Sequence, residues 1–68
     1  MIIVNGTPRE APAGATVAEL VGELDGIPQD GRGIAVAVDG EVVPRGAWAA
    51  SALHDGARVE IVGAVQGG

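Results

Sequence analysis

A chain of 68 residues sits at the lower edge of the domain range, about 50 to 250 residues. It has no room for two lobes around a cleft, and its 47% apolar content must offset an ordering entropy on the order of 100 kcal/mol. Cysteine and lysine are both absent, which excludes disulfides, thiolate metal sites, a thiol nucleophile or sulfur carrier, and every side-chain Schiff base. Four Arg face nine acids, a net charge of −5 that repels phosphate backbones and anionic lipid and points to a protein partner with a basic docking surface.

Met1 to Val4 is apolar, without the basic and hydrophobic regions of a secretory signal, and reads as a strand. Asn5-Gly6 is a hairpin signal, because a type I′ turn needs positive φ at both central positions. Thr7 to Ala11 then returns as a short or edge strand, since Pro8 lacks an amide donor. Thr16 and Glu19 have the spacing of a capping box. After it, Val17, Leu20, Val21 and Leu24 form one helical stripe. Gly22 weakens this helix by about 1 kcal/mol relative to Ala, and Gly26 is placed to end it. Asp25 to Gly33 reads as loop.

Ile34 to Val38 is a buried strand and the longest apolar run, far short of the roughly 20 residues of a membrane span. The chain therefore reads as soluble and cytoplasmic. Asp39-Gly40 is a second hairpin signal before Glu41-Val42-Val43, and Pro44 stops that strand. Trp48 to Leu53 suits a helical turn, and Asp55-Gly56 turns the chain into the alternating strand Arg58 to Val62. The order of elements gives an α+β fold: a mixed β-sheet packed on one helix, a β-grasp, over residues 1–63, with a flexible tail over 64–68. Alternation points Ile2, Val4, Ile34, Val36, Val38, Val59 and Ile61 toward the helix. Ile3, Ala35, Ala37 and Val62 then form a flat, uncharged outer patch, which reads either as a docking surface or as an uncovered sheet face.

Few constellations can carry chemistry. His54, with Ser51 before it and Asp55 after it, is not a hydrolase triad, because adjacent His and Asp in a turn point apart. One His without Cys, and acids without calcium-loop spacing between Asp25 and Gly31, give no metal site. Gly31-Arg32-Gly33 precedes a strand and cannot form a phosphate loop. Trp48, the sole aromatic, provides no base-stacking platform and reads as a core residue closing one end of the fold. Gly67-Gly68 remains: the last residues project about four positions beyond the final strand, a reach of ~13 Å, and without Cβ atoms can thread a narrow channel in an enzyme. A terminal carboxylate is the one reactive group this chain offers deep inside another protein.

The residues Val36-Ala37-Val38-Asp39-Gly40-Glu41-Val42-Val43-Pro44-Arg45, then Trp48, Leu53, Asp55-Gly56, Val59 to Val62 and the ending Ala64-Val65-Gln66-Gly67-Gly68, resemble the ThiS family, sulfur carriers of thiazole and thiamine biosynthesis. Ile2 to Gly6 and Thr16 to Leu20 match as well, so the resemblance spans essentially the whole chain. It implies a ubiquitin-like β-grasp whose Gly68 carboxylate, next to Gly67, is adenylated by a ThiF-type activating enzyme using ATP and magnesium and converted to a thiocarboxylate. A sulfur donor protein supplies the sulfur, and thiazole synthase receives it. The chain itself would bind no cofactor and catalyse no turnover. Val65 and Gln66 join Ile3, Ala35, Ala37 and Val62 as the expected partner-binding residues. Asp39 stands where the family commonly has Asn, and Ala57 where an acid is common.

Three other readings stay open: the small subunit of molybdopterin synthase, which ends in the same Gly-Gly; a protein modifier conjugated to lysines through Gly68; and a passive interaction module. The Pro44, Arg45 and Trp48 pattern favours the thiazole branch over the molybdopterin one.

Overall fold

A computed structural model describes residues 1–12, 14–24 and 33–63. Five strands, β1 (Ile2–Val4), β2 (Thr7–Arg9), β3 (Ile34–Val38), β4 (Glu41–Val43) and β5 (Arg58–Gly63), form one sheet in the order β2-β1-β5-β3-β4. The last strand is central, parallel to β1 and antiparallel to β3, so the sheet is mixed. Among the described residues, one α-helix, α1 (Val17–Glu23), and a 3-10 helix (Arg45–Ala50) accompany the sheet.

Both hairpin signals act as their chemistry requires. Asn5 and Gly6 have φ of 50° and 84°, Asp39 and Gly40 have 51° and 86°, and each pair closes an antiparallel ladder. Positive φ at both central positions matches the turn to the twist of its strands, and Asn, Asp and Gly tolerate it best. The edge strand β2 is shorter than the predicted Thr7 to Ala11, because Ile2, the first residue of β1, already pairs with Arg9.

Thr16 caps α1 through a complete capping box: the Glu19 amide donates to its Oγ1 at 3.2 Å, and its own amide donates to Glu19 Oε1 at 2.9 Å. The helix ends at Glu23, with Leu24 extended at ψ 135° and packed against the core. Gly26, the predicted terminator, lies outside the described residues, as does most of the predicted loop. A seven-residue helix is marginal alone, and its stability comes from burying Val17, Leu20 and Val21 on the sheet.

The core joins these residues to Ile2, Val36, Trp48, Leu53, Ala57 and Val59, with Val4, Ile34, Val38 and Ile61 packed around it. Every strand residue assigned to the inner face is in or against this cluster. At about 1.5–3 kcal/mol for each fully buried Val, Leu or Ile, the shared inner face supplies most of what opposes chain entropy. Trp48 is a core residue as expected, its Nε1 donating to the Val43 carbonyl at 2.8 Å. The helical turn around it begins at Arg45 instead of Trp48. Pro44, at φ −60°, is preset for the turn, and its carbonyl accepts from the Ala47 amide at 2.8 Å.

Candidate functional site

Two features of the sheet bear on function: its outer face, and the end of β5 that leads to residues 64–68. Ile3, Ala35, Ala37 and Val62 lie on the outer face, Ile3 and Ala37 half-buried, Ala35 and Val62 exposed. The ladder pairs Ala35 with Val62 and Ala37 with both Glu60 and Val42, and Ile3 with Arg58. The patch is therefore not uncharged. Arg58 and Glu60 project from the central strand between Ile3 and the two alanines, so the face is apolar ground crossed by one cation and one anion. Val42, 73% exposed, extends the apolar ground toward β4. These three residues were missed although the alternation of Arg58-Val59-Glu60-Ile61-Val62 and of Glu41-Val42-Val43 carries the signal. Val65, Gln66, Gly67 and Gly68 lie outside the described residues.

Where β5 ends, β3 holds one of its sides as far as the Ile34–Gly63 pair. On the other side β1 stops pairing after Val4–Val59. Asn5 takes over there: its Nδ2 donates to the Ile61 carbonyl at 3.2 Å and its Oδ1 accepts from the Ile61 amide at 2.8 Å.

Where β5 begins, a charged network gathers. Asp39 accepts from the Arg58 amide through Oδ1 at 3.0 Å and meets His54 Nε2 through Oδ2 at 2.6 Å. His54 Nδ1 lies 2.8 Å from the Asp55 carbonyl oxygen. Both ring nitrogens thus face acceptors, an arrangement that only the doubly protonated imidazolium satisfies. The hydrogen bond to Asp39, then that to the Asp55 carbonyl, raises the His54 pKa, and the same His54 bond, then the Arg58 amide, lowers that of Asp39. The Asp55 carboxylate turns away to the Met1 amino group at 2.6 Å. The expected divergence of His54 and Asp55 is borne out, while the Asp39 partner, 15 residues away, was not foreseen. Ser51 Oγ donates to the Ala47 carbonyl, so no triad assembles. Among the described residues no group of three or more His, Asp or Glu is placed to hold a metal ion.

A model of the ThiS family matches residues 2–68. The chain belongs to the ThiS family. Its similarity to the sulfur carrier protein ThiS of Escherichia coli K12 is 34% identity over 67 residues, 98% of this chain and 97% of that protein. It is 40% identical over 67 residues to a thiazole synthase of Paramagnetospirillum magneticum, spanning only 20% of that protein's length. The crystal structure of the thiamine biosynthesis protein ThiS from Geobacter metallireducens superposes with a TM-score of 0.81 at 30% identity, covering 98% of this chain and 97% of that one. A solution structure of a thiamine biosynthesis protein from the same organism gives 0.76 at 32% identity, covering 98% and 86%. Family, relative and structures agree on a ubiquitin-like β-grasp and on a sulfur carrier of thiamine biosynthesis. Of the two departures from the family pattern, Asp39 keeps the turn and gains the His54 contact. Ala57 is completely buried in the core, so this position offers a partner nothing.

Proposed function

We propose that the sulfur is carried on the Gly68 carboxylate. The observation that carries this reading is the family match, which runs through Gly67 and Gly68 in a chain without cysteine. An α-carboxylate is ionised at neutral pH, with a pKa of about 3.5, and is a poor electrophile. It attacks the α-phosphorus of ATP on a magnesium-dependent adenylating enzyme and pyrophosphate leaves; the persulfide of a donor protein then displaces AMP to form an acyl disulfide, and a second thiol attacks the donor-side sulfur, releasing the thiocarboxylate and leaving a disulfide. The acceptor is thazole synthase in the thiamine branch, a reading supported by the matching segment within a thiazole synthase chain. The protein is substrate and carrier for these enzymes, with no turnover and no bound cofactor of its own, and acts in the cytoplasm. No described helix is long and apolar enough to cross a membrane. The outer face, with Ile3, Ala35, Ala37, Val42 and Val62 around Arg58 and Glu60, is the docking surface, and Val65 and Gln66 follow the chain into the enzyme.

Incubation with the adenylating enzyme, ATP, magnesium and a sulfur donor should replace one terminal oxygen by sulfur, seen by intact mass. An unchanged mass, under conditions where the E. coli carrier reacts, overturns the reading.

A further inference from the structure

Asn5 does more than its turn requires. A type I′ turn needs a residue that tolerates positive φ, and Gly or Asp would serve. The Asn5 side chain in addition makes a donor and an acceptor contact to one residue, Ile61, 56 positions later in the chain. In a parallel ladder the Asn5 backbone would supply the next pair of contacts to β5. The Asn5 amide does donate to the Val59 carbonyl at 2.9 Å, but at φ 50° the chain then leaves the sheet. The carboxamide, chemically a peptide group, stands in for the missing peptide unit and satisfies the Ile61 amide and carbonyl on the side that β1 vacates.

We infer that Asn5 is a positioning residue for the reaction at Gly68: it clamps β5 at Ile61, so that the strand end Val62-Gly63 is already ordered when the residues after it enter an enzyme. This rests on the carrier reading above. Without the clamp, β3 alone holds the last residues of β5, and the ordering of about one further backbone residue must occur at the enzyme. That corresponds to about a tenfold loss of productive complexes. Of the docking face only Val62 lies on the loosened end, while Ile3, Ala35, Ala37, Val42, Arg58 and Glu60 keep their places, so the loss falls chiefly on kcat and KM moves far less.

The test compares three variants in the thiocarboxylation assay at varied carrier concentration. Asn5→Gly keeps the positive φ and removes both contacts. Asn5→Asp keeps the acceptor for the Ile61 amide and loses the donor. Gly6→Ala strains the same turn, at φ +84°, without touching Ile61. Asn5→Gly should lower kcat about tenfold with a far smaller change in KM, Asn5→Asp should fall between, and Gly6→Ala should lower Tm with kcat unchanged. Wild-type kcat in Asn5→Gly, or a kcat that tracks Tm across all three, overturns the inference. Amide exchange at Ile61, faster in Asn5→Gly than in Gly6→Ala, reads the clamp separately. A wild type that gains no sulfur overturns the carrier reading instead, and the exchange data then still report whether Asn5 holds the strand end.

Discussion

The two ends of β5 are built differently. At its start, Ala57 and Val59 are fully buried, the Ile3 amide donates to the Ala57 carbonyl, and the Gly56 amide donates to the Met1 carbonyl. Asp39, His54, Asp55 and the Met1 amine surround this end with charge-assisted contacts. At its finish, burial falls away through Ile61 to an exposed Val62 and Gly63, and the contacts on the β1 side reduce to one carboxamide. The stabilising interactions are concentrated where the strand enters the fold. The finish rests on the β3 ladder and on that one side chain.

The largest effect should come from deleting Gly68. Thiocarboxylate formation should disappear while Tm stays at the wild-type value, because no described residue beyond Ile61 packs in or against the core cluster. A lowered Tm would show that the finish of β5 also bears stability. Next, Val62→Asp places a second anion beside Glu60 on the outer face. With Val62 61% exposed, Tm should hold, while KM for the adenylating enzyme should rise about tenfold, the worth of roughly 1.4 kcal/mol of docking. An unchanged KM would remove this face from the docking surface.

The smallest and most condition-dependent effect lies at the start of β5. The His54 pKa is raised, so its contribution is complete below the unfolded value of about 6.5 and is lost as pH climbs through the higher folded value. The Asp39 pKa is lowered, so its contribution is complete above about 3.9 and is lost as pH falls through the lower folded value. The tie is fully made between these limits. Thermal melts of wild type and His54→Gln should differ most near pH 5 and converge at alkaline pH, where the wild-type ring is neutral. Both groups are solvent-exposed, so salt should narrow the gap. Parallel Tm curves at all pH values would dismiss the imidazolium as a contributor.

Local features were legible because their causes are local. The Asn5-Gly6 and Asp39-Gly40 turns, the Thr16–Glu19 box and the inner faces of β1, β3 and β5 depend on φ preferences, i to i+3 spacing and period-two alternation. The 3-10 helix starts at Arg45, upstream of the predicted Trp48, because Pro44, with φ already at −60°, opens the turn. The outer patch was read as uncharged although the alternation that placed Val62 there also placed Arg58 and Glu60. The Asp39–His54 and Asn5–Ile61 contacts were beyond reach, since nothing in a turn's sequence names a partner 15 or 56 residues away.

By itself the sequence determined which residues turn, cap and point inward, and its lack of cysteine and lysine excluded a thiol or a side-chain amine as carrier. Only the tertiary structure decided that the last strand lies at the centre of the sheet, beside the first. Strand order arises from burying several inner faces against one helix at once, a condition that no single segment contains. That placement makes β5 the most supported strand at its start. At its finish it leaves one asparagine to complete the ladder.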